Sequence, residues 1–260
     1  AEFVSQRYIE RVPLPILATG REIVVLDLDD PLKPSIVASI PIADARGLDV
    51  QFRYLFVTSA AGLEVVDVTH PARPAPVPGA VVPLADAHRV YVARTYAYVA
   101  AGSEGLAIID VTRPRQPALL RMFDAGGSLN AARDVIVGTT NASLFAYVAD
   151  GSNGLQVVQL TSPESQPRFY GFSPEPRPAL VARYPSKKPM TALSKGLDRD
   201  RAVDESGHQI AVFGRLGSRP FTLQEMHKLY LDGHGRPWFV EQGKPVSEGR
   251  AQAVAAGQNP

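Results

Sequence analysis

The sequence predicts an all-β fold of four-stranded antiparallel sheets set side by side around a common axis. Three observations predict it. A ten-residue string recurs as Gly62-Leu63-Glu64-Val65-Val66-Asp67-Val68-Thr69-His70-Pro71, Gly105-Leu106-Ala107-Ile108-Ile109-Asp110-Val111-Thr112-Arg113-Pro114 and Gly154-Leu155-Gln156-Val157-Val158-Gln159-Leu160-Thr161-Ser162-Pro163. With the looser first copy Glu22–Pro31, its marker residues Asp27, Asp67, Asp110 and Gln159 stand 40, 43 and 49 residues apart. A period near 40 made from strands alone marks a radial array in which each repeat is one sheet. Finally, each string is flanked by further strand-like runs that bring the count per repeat to four.

In chain order, residues 1–20 lead in without a strong period; Pro13 and Pro15 disfavour helix, and Ile16 to Ala18 read as a short strand. The third copy is the clearest: Arg89 to Val92, a tight turn at Ala93-Arg94-Thr95, Tyr96 to Ala100, a Gly-bearing turn, the apolar strand to Val111, and Ala118 to Arg121. The second copy has Leu48 to Val50, Tyr54 to Val57, Leu63 to Val68 and Pro76 to Val82. The fourth has Asp134 to Val137, Leu144 to Val148, Leu155 to Leu160 and Arg168 to Gly171. Alternating β-branched and aromatic residues suit strands covered on both faces by neighbouring sheets.

Gly62, Gly105 and Gly154 fall where a hairpin turn wants positive φ. Asp67 and Asp110 are placed to accept backbone N–H bonds in the turn beyond them, and Thr-x-Pro then ends the strand. Residues repeated in every sheet belong to the scaffold. Tyr91, Tyr96, Tyr98, Phe145 and Tyr147, at strand spacing, fill the gaps between sheets.

These strings, together with Ala97-Tyr98-Val99-Ala100 and Ala146-Tyr147-Val148-Ala149-Asp150, resemble the LVIVD-repeat family of β-propellers over about residues 20–175. The first copy departs from the pattern, with Leu28-Asp29-Asp30-Pro31 in place of V-T-x-P. The expected fold is a β-propeller of about four blades with a small irregular or helical C-terminal extension. The expected domains are a propeller over 1–214 and an extension over 215–260, with repeats near 20–44, 45–86, 87–128 and 131–175. A proline-rich strap over 172–196 comes next, then two closing strands within 199–214, Arg201 to Val203 and Gln209 to Phe213. Joined to the first copy, which shows clearly only its third and fourth strands, this pair closes the ring and removes two exposed edges; the alternative is that earlier blades were cut away or lie on another chain.

After the strap, Thr222-Leu223-Gln224-Glu225 is a capping box opening a short helix through Met226, Leu229 and Tyr230; a hairpin over Leu229–Val240 is the alternative. The last twenty residues, rich in Gly, Ala, Gln and Ser, read as a mobile tail or one ordered by a partner.

Composition excludes several chemistries. The formal charge of +1 gives no broad field for nucleic acid or an anionic membrane. With no cysteine there is no disulfide, thiolate metal site, thiol nucleophile or haem attachment through C-x-x-C-H. The chain starts at Ala1 with no leader-like n-region and apolar core, the expectation for a processed chain or a fragment. No run approaches the roughly 20 apolar residues of a membrane helix.

The five histidines, His70, His88, His208, His227 and His234, show no metal-binding spacing. Gly126-Gly127-Ser128 and Gly243-Lys244-Pro245 fail as phosphate or nucleophile motifs. The charged run Asp198-Arg199-Asp200-Arg201 with Asp204-Glu205 has Ala202 where a calcium loop needs an oxygen, so it reads as ion pairs. Asn141-Ala142-Ser143 is a glycosylation sequon in a hairpin loop. No set of nucleophile, acid and base emerges, so no catalytic residue, cofactor or metal is expected in this chain.

Partner contact is expected at Trp238, the single tryptophan, with Phe239 and Tyr230, at His88, which begins an innermost strand at the channel mouth, and at His208. The family resemblance implies an extracytoplasmic docking module, without its own haem, that binds a multihaem c-type cytochrome in an extracellular electron-transfer assembly. A surface adhesion or envelope-scaffold role is the rival within that class. A hydrolase or lyase with its site at the propeller channel is the rival outside it.

Overall fold

The computed structural model describes residues 5–8, 15–27, 33–140, 143–163 and 173–194, and short stretches between 215 and 245. The chain divides into two compact units, Ala1–Ser194 and Lys195–Pro260. The first holds four antiparallel sheets, each made from four strands consecutive in sequence.

Blade 1 comprises β1 (Ser5–Tyr8), β2 (Pro15–Ala18), β3 (Glu22–Asp27) and β4 (Ser35–Pro41). Blade 2 comprises β5 (Gly47–Gln51), β6 (Tyr54–Ser59), β7 (Gly62–Asp67) and β8 (Ala75–Val82). Blade 3 comprises β9 (Val90–Ala93), β10 (Tyr96–Ala100), β11 (Leu106–Asp110) and β12 (Ala118–Phe123). Blade 4 comprises β13 (Asp134–Thr140), β14 (Ser143–Ala149), β15 (Leu155–Thr161) and β16 (Ala179–Tyr184). In the second unit the described pairs are β17 (Arg215–Leu216) with β18 (Arg219–Pro220), and β19 (Val240–Glu241) with β20 (Lys244–Pro245).

The first strands of successive blades, β1, β5, β9 and β13, lie beside one another in that order, which places them on the axis side and makes the array a β-propeller. Three cores fill the spaces between blades. Ile16, Ile23 and Val25 of blade 1 meet Leu48, Leu55 and Val66 of blade 2. Phe56, Leu63 and Val65 of blade 2 meet Val90, Val99 and Ile109 of blade 3. Tyr98, Leu106 and Ile108 of blade 3 meet Val135, Val148 and Leu160 of blade 4. Odd and even residues of one strand thus serve two different interfaces, which is why the central strands are apolar throughout.

The recurring string has a physical cause at each end. Gly62 has φ of +114°, and a Cβ there would stand 2.2 Å from the Val82 carbonyl oxygen; Gly105 and Gly154 meet Phe123 and Tyr184 in the same way, at 2.5 and 2.2 Å. Glycine therefore lets the fourth strand pass directly over the start of the third. At the other end, Asp67 Oδ1 accepts from the Thr69 N–H at 2.9 Å and its hydroxyl at 2.5 Å, and Asp110 Oδ1 accepts from the Thr112 N–H at 2.8 Å. The bonds from Thr69 hold the Asp67 carboxyl below its usual range. Every third-to-fourth strand pairing carries a register shift at one repeat position, Val25/Leu26, Glu64/Val66, Ile108/Ile109 and Val157/Val158, so the bulge is part of the blade's design.

Two expectations change. Blade 1 has four described strands of its own: the strand expected at Ile16 to Ala18 is β2, and β1 pairs with it where a strand from 199–214 was expected; Pro15 is tolerated because it is the first residue of its strand. The fourth strand of blade 4 is Ala179–Tyr184, inside the expected strap, and not Arg168–Gly171. The prolines at 174, 176 and 178 stop just short of it, leaving a proline-free run whose N–H groups can pair with β15. Beyond β16, the segment from Met190 to Leu193 lies on blade 4 as the start of a blade lies on its predecessor. Met190 and Gly151 exchange two backbone bonds at 3.1 and 2.8 Å, as Ala132 and Gly102 do at 3.0 and 3.1 Å. His208, Tyr230, Trp238, Phe239, the strands expected in 199–214, the charged run from Asp198 and the sequon asparagine Asn141 lie outside the described residues, as does the expected helix apart from the helical Gln224.

Candidate functional site at the axial mouth

The loop leading into each inner strand has one plan. Ala45, Ala87 and Ala132 are buried, and the next residue, Arg46, His88 or Arg133, donates its backbone N–H at 2.8 Å to the carbonyl of Thr58, Ala100 or Ala149 on the second strand. A small buried alanine before a fixed N–H sets the direction in which the next Cα–Cβ bond leaves the backbone. Three cationic or potentially cationic groups from successive blades thus reach one end of the propeller. With Arg89, Asp134 and the Thr191–Leu193 segment they line a cavity of about 410 Å³.

Carboxylates tie these groups together. Arg46 Nε bonds Asp44 Oδ2 at 2.9 Å within its own loop, and Arg46 NH1 bonds Asp86 Oδ1 at 2.9 Å in the loop of the next blade. The bond to Asp44, more than the opposing burial, raises the Arg46 guanidinium above its ordinary value. Burial pushes the Asp86 carboxyl up, but its bonds to His88 and Arg46 and their charges outweigh this and hold it below the usual carboxylate range. Asp134 is buried and committed: Oδ1 accepts from the Val135 N–H and Oδ2 from the Leu193 N–H, both at 2.8 Å, with Arg89 Nε at 3.5 Å. The Thr58 hydroxyl donates to the His88 carbonyl and fastens the loop to blade 2.

His88 Nε2 has two claimants, Asp86 Oδ2 at 3.0 Å and Arg133 NH1 at 2.7 Å. A single ring nitrogen donates to the first or accepts from the second, never both. The mouth is therefore a set of hydrogen-bond donors whose pairing depends on which acceptors are present. Such a set recognises carboxylates and other oxyanions.

Of the residues expected to contact a partner, the structure places His88 at this mouth. Arg46, Asp86, Arg89, Arg133 and Asp134 were not anticipated. The signal for them is the triplet before each inner strand, Asp44-Ala45-Arg46, Asp86-Ala87-His88 and Ala131-Ala132-Arg133, too short and too varied to stand out beside the strand repeat. Among the described residues, no group of three or more His, Asp or Glu that could hold a metal ion is found, and no helix is long and apolar enough to cross a membrane.

Residues 43–77, 85–125 and 142–171 match the LVIVD repeat. The matches fall on blades 2, 3 and 4, and the first two contain the mouth loops of Arg46 and His88. No curated protein matches the chain by sequence. Among solved structures, the chain is similar to the computationally designed Ika4 protein, at 11% identity and a TM-score of 0.43, covering 60% of this chain and 90% of that one. A nidogen/laminin complex gives 11% identity and a TM-score of 0.45, covering 68% of this chain and 64% of the other. Hsv2 of Kluyveromyces lactis gives 15% identity and a TM-score of 0.41, covering 70% of this chain and 50% of that protein. Repeated blades set side by side in a β-propeller are the arrangement of a protein-interaction module.

Proposed function

We propose that this chain is a non-catalytic docking module that works outside the cytoplasm and holds a multihaem c-type cytochrome in an electron-transfer assembly, without binding haem itself. One observation carries the docking reading. Three successive blades deliver Arg46, His88 and Arg133 from equivalent positions to one mouth, where they are joined through Asp86 and through one another. A surface assembled from one side chain per repeat reads a partner in the way repeat proteins do. The cytochrome and the extracytoplasmic setting are supported by the kinship of the repeat strings with LVIVD propellers.

The test is capture of partners by the full chain under native conditions, with mass spectrometry and an absorption spectrum of the captured material. The expected result is a stoichiometric partner showing a Soret band, with none from the chain alone. A stoichiometric partner lacking that band overturns the cytochrome assignment and points to an envelope scaffold. Turnover of a soluble substrate by the purified chain overturns the docking reading.

A further inference from the structure

The mouth loops repeat in sequence, and the repeat breaks at one place. Asp44 precedes Arg46 by two residues and Asp86 precedes His88 by two, but Ala131 stands two before Arg133. The acid is missing from the third loop alone. Its place in the fold is defined by the second: Asp86 lies over Gly102, so close that a Cβ on that glycine would stand 2.2 Å from Asp86 Oδ2. The equivalent glycine of blade 4 is Gly151, and there the neighbour is the Ala131 Cβ, 3.0 Å from where a glycine Cβ would be. The floor on which an acid rests is kept, and the acid is not.

Arg133 is left with poor company. Its side chain is 46% exposed, its near contact is His88 Nε2 at 2.7 Å, and its ion pair with Asp86 is stretched to 4.0 Å. Asp86 Oδ1 is already bonded by Arg46, and Asp134 is filled by two backbone N–H groups with Arg89 beside it. A guanidinium with five donors in a planar fork is thus presented at a cavity of about 410 Å³, with only a long ion pair to Asp86, which it shares with Arg46.

We infer that Arg133 takes a carboxylate from outside the chain, a Glu or Asp side chain of an acidic segment on a protein partner, in the role that Asp44 and Asp86 play for the other two loops. The incoming acid bonds the guanidinium bidentately and draws Arg133 away from His88, freeing Nε2 to donate to Asp86. One protein-borne acid therefore satisfies both residues. This inference rests on the docking reading for its partner class and adds the recognised group.

The test uses the full chain and a labelled ten-residue peptide of alternating Glu and Ser, beside its Gln counterpart, with binding read by fluorescence anisotropy at low salt. The Glu peptide binds and the Gln peptide does not. Arg133→Gln weakens binding roughly tenfold or more, the loss expected for one charge-assisted bidentate contact. Ala131→Asp, which supplies the acid internally over Gly151, weakens it to a similar degree. Arg115→Gln, at the opposite end of the sheets, where Arg115 pairs with Asp67, leaves it unchanged.

Equal binding of the two peptides, or undiminished binding by Arg133→Gln, overturns the inference. Should Ala131→Asp fail to fold, Arg133→Gln decides alone, because its half-exposed side chain can be truncated without opening the core. Failure of the Glu peptide while native capture still yields a partner rejects the carboxylate and leaves the docking reading standing. Failure of both rejects both.

Discussion

Arg46 and Asp86 are 40 residues apart, close to one repeat, and their guanidinium and carboxylate meet at 2.9 Å across the boundary between blades 2 and 3. At the other end of the same two sheets Arg115 of blade 3 meets Asp67 of blade 2 at 2.9 Å, so charge pairs join these blades at both ends of their shared apolar core. The Arg46–Asp86 pair also sets the level of one titration. Asp86 is held below the usual carboxylate range, so in the folded chain it stays charged at pH values where the unfolded chain is protonated. Its contribution to stability is present above about pH 4, the unfolded value, and is lost as pH falls through the lower folded one.

Asp86→Asn is therefore expected to destabilise the chain by on the order of 1 kcal/mol near pH 7, a figure kept small because the carboxylate is partly exposed to solvent. The difference from the parent chain should shrink toward zero below about pH 3. Urea denaturation of both chains across that range reads it directly. A pH-independent difference means that Asp86 acts through packing against Gly102, and the ionic account fails.

The start of the third strand gives a sharper contrast. Gly62 and Gly79 both have positive φ, but a Cβ at Gly62 would stand 2.2 Å from the Val82 carbonyl and 2.5 Å from the Leu84 nitrogen, whereas at Gly79 nothing lies within 4 Å. Gly79→Ala carries only the backbone penalty, about 1 kcal/mol. Gly62→Ala adds a collision with main chain that cannot swing aside, for a total of about 2–4 kcal/mol. Equal shifts in the denaturation midpoint would show that β8 moves off Gly62 without cost.

These relationships also mark how far the sequence could be read. The glycine and aspartate ends of the string were legible because the chemistry sits beside the residue that needs it: positive φ at Gly62, and an acceptor two residues before Thr69. The apolar strands were legible because two-sided burial demands apolar residues at consecutive positions.

Of the inner pair of blade 1, β2 was legible at Ile16 to Ala18 but β1 was not, since it matches no copy of the string's preceding strands and joins the sheet by pairing with β2. The fourth strand of blade 4 was missed because Pro174, Pro176 and Pro178 make their neighbourhood look like a strap, although Ala179–Tyr184 is free of proline. The mouth was hidden for another reason. Its residues are one or two per repeat, and Arg46 finds Asp86 only after the blades have packed.

Repeat equivalence permits a last comparison in which one residue serves as control for another. Leu106 and Leu155 each come directly after the glycine of their string and occupy the same place in blades 3 and 4. Leu106 is wholly buried in the core shared by those blades, while Leu155 is half-buried. Tyr98 and Ile108, buried like Leu106, correspond to Tyr147 and Val157, half-buried like Leu155. The face of blade 4 turned away from blade 3 thus has the composition of an interface with less than the cover of one. Leu106→Ala should cost about 3 kcal/mol through lost transfer free energy and the cavity left behind, and Leu155→Ala about half of that. Matched denaturation curves in the full chain test the ratio. If Leu155→Ala costs as much as Leu106→Ala, the face of blade 4 is as closely packed in solution as the interfaces between blades, and the asymmetry within the propeller does not exist.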